Sequence, residues 1–458
     1  MREGLSLLKR AHRFTDLVEI RLENIADLDL EKLLRHPRPK VIITNRANGR
    51  YSNSERFDIL LGAVKLGAEF VDIEIESGKA VINKFKNWIS EEKSETKLIL
   101  SYHNFNETPK NLSAIYSQIK SQNADIIKVA VYANDVTDNV KIFKLLERAK
   151  KENIKLAAFC LGEKGEISRI LAPRFGGQIT YCSLITEKET AEGQMPVEKL
   201  LNIYNYMSIN AKTKIFGLVG NPVSHSRGIY VHNEFFKRNK LNAVYVNFLV
   251  DVFSKSNQLF TPYISGLSVT IPFKEVAAKS VNRLSPEAQN TQAVNTIKLI
   301  NQKLVGYNTD VLGLTELLRN RIHGKNVVVF GTGGSARSAI VAAKSERGKV
   351  IVVGRNPNKA RALAEEFDCG YEKIESLPNI KFDVFINATP IGMVPKINSS
   401  PILPGLLKPH TLVVDFVYTP PVTKLLRDAK IRRCKTISGV DIFKRQAKLQ
   451  QKIFKSVI

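Results

Sequence analysis

The chain has 458 residues, 43% hydrophobic and 25% charged, with 69 Lys and Arg against 44 Asp and Glu. That length exceeds one ordinary core and predicts two or three domains; no apolar run approaches the ~18 residues of a membrane span. The net charge of +25 is dispersed over helix faces with acids interleaved, as in "KIFKLLERAKKENIK", without a recognition-helix, RNP or zinc-finger pattern. This argues against nucleic-acid binding and for a surface that attracts small anionic substrates. Cys160, Cys182, Cys369 and Cys434 form no CxxC pair, which suits free thiols in a reducing cytoplasm and argues against a zinc site or a disulfide framework. The opening "MREGLSLLKRAHRFTDLVEI" lacks an h-region and a small-residue cleavage site, so it reads as mature protein beginning with a helix-like segment.

Up to about residue 210, short apolar strands alternate with amphipathic helices. The predicted strands are "DLVEIRL" (16–22), "KVIITNR" (40–46), "FVDIEI" (70–75), "KLILSYH" (97–103), "IIKVAVYA" (126–133), "KLAAFCLG" (155–162) and "ITYCSL" (179–184). Helical stretches such as "SERFDILLGAVKLG" carry apolar residues at i, i+3 and i+4. Repeated βα units predict a parallel sheet and an α/β fold of (β/α)8-barrel type over residues 1–210, with its first strand missing. A wall short of one strand leaves unpaired edges, to be met by a longer natural chain, by the N-terminal segment or by another subunit.

In such a barrel the chemistry sits at the C-terminal strand ends. Glu19, Arg21, Arg46 and His103 lie at or near strand ends, and Lys128 stands in the middle of an apolar strand. Desolvating an unpaired ammonium costs several kcal/mol, so this lysine calls for a purpose. Near other cations in an apolar barrel its pKa is expected to fall, making it a nucleophile toward a ketone. His103, one strand away, is placed as its general acid–base.

"DLVEIRLENI", "VIITNR", "LILSYHNFNETP", "DIIKVAVY", "EISRI" and "TAEGQ", in this order, resemble type I 3-dehydroquinate dehydratases over residues 12–207. The resemblance implies a Schiff base on Lys128, proton transfer by His103, and substrate contacts from Glu19, Arg21, Arg46, Arg169, Thr190 and Gln194. It also exposes departures. The family's first strand with its serine contact is absent, its loop glutamate is Arg50 here, and its serine-alanine-proline-glycine-glutamine loop reads Thr190-Ala191-Glu192-Gly193-Gln194.

After "SINAKTK" (208–214), a plausible linker, a second pattern begins with "IFGLVGNPVSHSRGIYVHNEFF". Residues 213–310, joined by a C-terminal helix at 438–458, are expected to form a substrate domain, and 311–437 a dinucleotide domain. "KNVVVFGTGGSARSAIVAAKSERGKVIVVGRNPNKARALAEEF" reads strand, Gly-rich turn, helix, strand. Gly331, Gly333, Gly334, Ser335 and Ala336 fit the dinucleotide fingerprint, whose glycines let a pyrophosphate approach a helix N-terminus. The second strand ends in Arg355, with Lys359 one turn on, in place of the acid that would hold the ribose of NAD. A 2′-phosphate, and hence NADP, is favoured.

"LSVTIPFKE", "QAVNTI", "GYNTDVLG", "INATPIGM", "DFVYTP" and "SGVDIFKRQA" resemble shikimate dehydrogenases over residues 213–458. The resemblance implies Lys274 and Asp310 as the catalytic pair. Ser226, Gly228, Thr270, Asn295, Thr309, Tyr418 and Gln446 would meet substrate, and Thr389 and Gly439 cofactor. Two departures stand out: Ser268 replaces an asparagine, and Gly228 replaces a serine that donates to the substrate carboxylate. Glycine there is expected to free volume beside the carbon where quinate carries a hydroxyl that shikimate lacks. Together the halves are expected to take 3-dehydroquinate to 3-dehydroshikimate and then, with NADPH, to shikimate. The alternative is a shikimate or quinate dehydrogenase with a degenerate barrel.

Overall fold

A computed structural model describes residues 2–47, 49–185, 191–255 and 263–458. The chain forms two compact units, Met1–Thr213 and Lys214–Ile458.

The first unit is built on six parallel strands: β1 (Leu17–Arg21), β2 (Lys40–Thr44), β3 (Phe70–Glu74), β4 (Lys97–Asn104), β5 (Ile126–Tyr132) and β6 (Leu156–Leu161). They pair in sequence order in one open sheet. Amphipathic helices connect them. Helix Asn53–Lys65 starts on a capping box in which Ser52 and Glu55 satisfy each other's backbone N–H groups. Helix Asp138–Lys151 buries Ile142, Phe143, Leu145, Leu146 and Ala149, a stripe at helical spacing facing the sheet side. Phe143 stacks on Phe175 of the next helix with centroids 4.2 Å apart. On the concave side Ile42, Ile99 and Ile126, with Leu17, Phe70 and Ile179, form an apolar floor beneath the charged residues.

The strand expected at 179–184 does not form. Apart from one isolated bridge between Ser183 and Pro196, the segment pairs with no strand among the described residues. Its polar groups are taken by the preceding helix instead: Arg169 Nη1 donates to the Tyr181 carbonyl at 3.3 Å and Thr180 Oγ1 to the Arg169 carbonyl at 3.2 Å. The α/β class and the barrel-type sequential parallel order stand; among the described residues the sheet has six strands, one fewer than the seven expected.

The second unit has two sheets. In the first, β7 (Lys214–Gly220) pairs in parallel with β8 (Ala243–Leu249) and β9 (Ile264–Val269), and β9 continues to β11 (Thr296–Ile300), β12 (Lys303–Tyr307) and the short β10 (Arg283–Leu284). The antiparallel pairing of β9 with β11 makes this sheet mixed. The second sheet is wholly parallel, in the order β15-β14-β13-β16-β17-β18. Its members are β13 (Asn326–Phe330), β14 (Lys349–Val353), β15 (Gly370–Glu372), β16 (Val384–Asn387), β17 (Leu412–Asp415) and β18 (Lys435–Ile437). This is the doubly wound dinucleotide-binding order, with the Gly-rich turn after the central strand β13. Helix Gly439–Lys455, opened by a Ser438/Asp441 capping box, returns to the first sheet, where Gln450 Nε2 donates to Thr296 Oγ1 at 2.9 Å.

Candidate active sites

In the first unit a cavity of about 610 Å³ opens at the C-terminal strand ends, lined by Glu19, Arg21, Arg46, Glu74, His103, Lys128, Arg169, Tyr181 and Gln194 among others. Strand alternation brings Asp72 and Glu74 of β3, Ser101 and His103 of β4, and Lys128 of β5 to the same concave face. Lys128 is 4% exposed. Its Nζ donates to Glu19 Oε1 at 2.6 Å and Asp72 Oδ2 at 3.0 Å, and lies 4.1 Å from the Tyr181 ring centroid. Burial pushes this ammonium down, but the Asp72 and Glu19 carboxylates outweigh burial and hold its pKa above the usual lysine range. The expected depression is therefore reversed. Carboxylates on β1 and β3, across the cavity from β5, dominate its field.

Arg46 is engaged in the same network. Its Nη2 donates to Asp72 Oδ2 at 2.6 Å, and its Nη1 to Asp72 Oδ1 at 3.2 Å and Ser101 Oγ at 3.0 Å. Burial opposes the Asp72 carboxylate, yet Arg46 and Lys128 hold it well below the usual range. Glu74 receives Arg56 Nη2, and Arg21 Nε donates to Glu23 Oε1 at 2.8 Å. His103 is pushed down to about 3, first by burial and then by the Arg46 and Lys128 charges, so its imidazole is neutral at rest.

Arg169 differs from these paired cations. It is 2% exposed, and burial lowers its pKa to about 10, which leaves it protonated at neutral pH. The guanidinium lies 4.1 Å from the Phe159 ring centroid. Its Nε and Nη2 have no hydrogen-bond partner among the described residues. A buried cation with two unanswered donors in a cavity wall can receive an anion. Thr190 lies outside the described residues, and Arg50 is exposed and absent from the cavity lining.

In the second unit Lys274 opens helix Lys274–Ser280 directly after β9, and Asp310 is the second residue of helix Thr309–Leu318. Lys274 Nζ donates to Asp310 Oδ2 at 2.6 Å and to Ser335 Oγ at 3.3 Å. Beside them, Asn295 Nδ2 donates to Thr309 Oγ1 at 2.9 Å, and Thr309 Oγ1 lies 3.2 Å from Gln446 Oε1. Tyr418 is hydrogen-bonded to Ser226 and feels the Asp310 charge. Thr270 is half-buried on the turn leading to Lys274, with its methyl against Gly220.

The residues around the Gly-rich turn fit a dinucleotide. Gly331 has φ +136°, a conformation that favours glycine. A Cβ on Gly333 would meet nothing within 4 Å, so the backbone before helix Gly334–Ser345 faces open space that a pyrophosphate can enter. Gly334 answers a different neighbour: a Cβ there would lie 2.8 Å from Lys274 Cβ. Ala336 is fully buried in the helix–sheet core, so its part in the fingerprint is packing. Arg355 and Lys359 are exposed past the end of β14, with Asn356 capping the helix between them. Thr389 Oγ1 donates to Asn387 Oδ1 at 2.7 Å, and Gly439 sits against the Val417 carbonyl, which a Cβ would approach to 2.4 Å. Asp415, unsuspected from sequence, ties these loops together. It accepts from Asn387 Nδ2 at 2.9 Å, Val417 N at 3.0 Å and Thr423 Oγ1 at 2.6 Å, and burial pushes its carboxyl up to about 6.

Comparison with known proteins matches both halves. The family model for type I 3-dehydroquinase covers residues 1–211, and that for the shikimate dehydrogenase substrate binding domain covers residues 218–297. The chloroplastic bifunctional 3-dehydroquinate dehydratase/shikimate dehydrogenase of Arabidopsis thaliana is 34% identical over 97% of this chain and 78% of its own. The chain belongs to this bifunctional family. The NADP(+) shikimate dehydrogenase of Pyrococcus abyssi is 39% identical over 50% of this chain and 86% of its own. Among solved structures, a shikimate dehydrogenase from Aquifex aeolicus aligns with a TM-score of 0.51 and 31% identity, over 54% of this chain and 94% of that one.

Sequence reading missed Asp72, Glu74, Arg56 and Tyr181 in the dehydratase-like half. A signal existed for two of them: "FVDIEI" places two carboxylates two residues apart, on one face of a strand whose other residues are apolar.

Proposed function

We propose that the first half dehydrates 3-dehydroquinate through a Schiff base on Lys128, and that the second reduces the resulting 3-dehydroshikimate with NADPH. The observation that carries the reading is Lys128 at the base of a cavity whose wall presents Arg169 with its Nε and Nη2 unanswered among the described residues. A substrate carboxylate on Arg169 would set its ketone toward Nζ. Lys128 rests protonated between Glu19 and Asp72, so attack requires handing a proton to one of these carboxylates or to neutral His103. The amine adds to the carbonyl and water leaves, giving the imine. His103 then removes the proton adjacent to the imine and returns it to the departing hydroxyl. Hydrolysis of the imine frees product and lysine. Arg46, with both its Nη atoms bonded to Asp72, holds that carboxylate in place more than it meets substrate.

In the second half NADPH supplies the hydride. Lys274, aligned by Asp310, delivers the proton to the oxygen being reduced. Asn295, Thr309 and Gln446 offer a polar wall for the ring hydroxyls, and Arg355 with Lys359 suits a 2′-phosphate. Among the described residues no helix is long and apolar enough to cross a membrane. The four unpaired cysteines support a reducing compartment, and we place the chain in the cytoplasm. Dehydroquinate plus NADPH tests the whole reading. Oxidation of NADPH that depends on dehydroquinate is expected. Activity with dehydroshikimate alone would leave only the second half working.

A further inference from the structure

Gln194 reaches the cavity wall of the first unit from a tight turn at residues 191–194. Gln194 N donates to the Ala191 carbonyl at 3.1 Å, and Gly193 has φ +73°. Positive φ at its third residue but not its second marks a type II turn, in which the second position, here Glu192, favours proline. The resembled dehydratases carry proline there; this chain carries glutamate, whose φ no ring fixes. Contacts from outside the turn supply the constraint instead. Tyr132 Oη donates to Glu192 Oε1 at 3.0 Å, and Gly162 N donates to the Glu192 carbonyl at 3.0 Å. Tyr132 is itself fixed: its N–H donates to the Glu107 carbonyl at 3.3 Å, and its carbonyl accepts from Thr108 Oγ1 at 2.7 Å. Its ring lies over Gly162, where a Cβ would come within 3.0 Å of Tyr132 Cζ, and a Cβ on Gly193 would lie 2.3 Å from the Gly162 carbonyl oxygen. The tyrosine ring, the Gly162 backbone and the turn are thus in close contact at the ends of β5 and β6. Ala191 packs on Ala130, Phe159 and Leu161 beside them. Among the described residues the Glu192 N–H has no acceptor, so a proline at 192 would forfeit no bond.

We propose that Tyr132 and Glu192 are positioning residues of the dehydratase site: their hydrogen bond holds the turn docked on the end of β6 and so presents Gln194 to substrate. The bond takes over the constraint that a proline ring would place on the turn. Both residues lie outside the cavity lining, so they act through Gln194 and not on the reacting atoms. The inference rests on the dehydratase reading above, with Gln194 as a substrate contact.

The test uses the full chain, with dehydration of dehydroquinate as readout and reduction of dehydroshikimate as the internal control. Tyr132→Phe keeps the ring and removes only the donor. It is expected to raise the KM for dehydroquinate about fivefold, with kcat within about twofold of the unmodified enzyme. Glu192→Ala should do the same, and the two changes together should raise the KM no more than either alone, since they break one bond. Glu192→Pro placed in the Tyr132→Phe enzyme should return the KM to within about twofold of the unmodified value, because the ring restores the turn without the bond. Damage to packing around β5 would not be repaired from position 192. An active dehydratase whose KM is unmoved by Tyr132→Phe, whose two losses add, or whose loss proline leaves unrepaired overturns the role of the pair. An unmodified enzyme that does not dehydrate dehydroquinate overturns the underlying reading as well. Should Tyr132→Phe fail to fold, Glu192→Ala carries the test: a raised KM supports the pair and an unmoved KM overturns it.

Discussion

The two candidate sites solve opposite electrostatic problems. In the first, Lys128, Arg46 and Arg56 are buried against Glu19, Asp72 and Glu74, and Arg169 remains as a cation with donors unanswered. In the second, among the described residues, the Lys274–Asp310 ion pair stands beside neutral hydrogen-bonding groups. A site that performs covalent chemistry with its own amine must free that amine of its proton before attack, and here the amine rests charged between two carboxylates. A site that borrows its reductant needs a single proton donor and a shaped wall. Charge density follows the division of labour between protein and cofactor.

The sharpest way to break this comparison is Lys128→Ala, which should abolish dehydration and leave reduction of dehydroshikimate intact. Borohydride added during dehydroquinate turnover should trap substrate on Lys128, and a label on another peptide would reject the assignment. Asp72→Asn comes next. It deprives two buried cations of their shared partner, and urea unfolding of the first unit should show a loss of about 3–5 kcal/mol, with dehydrogenase activity retained. Arg355→Ala should weaken NADPH by about 1.5–3 kcal/mol, one to two decades in affinity, and affect NADH little. Equal use of both nucleotides by the unmodified enzyme would refute that role.

The smallest effect is one of pH. His103 in the first unit and His232 in the second are both pushed down to about 3, mainly by burial, from 6.5. Below pH 6.5 the unfolded chain takes up protons that the folded imidazoles refuse, so stability falls as pH drops from 6.5 toward 3. In the second unit Asp415, raised to about 6 from 3.8, binds a proton earlier in the folded state, and its contribution grows over that window as pH falls. Denaturation midpoints between about pH 6.5 and 4 should therefore decline more steeply for the first unit than for the second. Equal slopes would show that these groups do not set the difference.

Much of this architecture was legible because each element is specified within itself. Strands β1 to β6 announced themselves by apolar runs, and the Gly-rich turn by its place between strand and helix. "ITYCSL" carried the same local signal as a strand, but Arg169 of the preceding helix takes the Thr180 hydroxyl and the Tyr181 carbonyl instead, a competition from outside the segment. The same limit explains Lys128: its own strand suggested an apolar setting, whereas its field comes from β1 and β3. Tyr245 escaped notice for the converse reason. It sits in an unremarkable strand, and its ring already occupies the space that glycine at 228 was expected to free.

The adjacent glycines of the dinucleotide turn answer to different masters. Gly333 borders empty space and is constrained by whatever ligand comes to lie there, whereas Gly334 is constrained by Lys274 of the neighbouring lobe. A redesign of nucleotide preference can therefore treat position 333 as part of the nucleotide's mould, but position 334 belongs to the packing that seats Lys274, the proton donor proposed above. Drift at 334 would first be felt as slower turnover with the nucleotide still seated. The fingerprint is thus two constraints written side by side, and a lineage that changed its cofactor would still have reason to keep the second glycine.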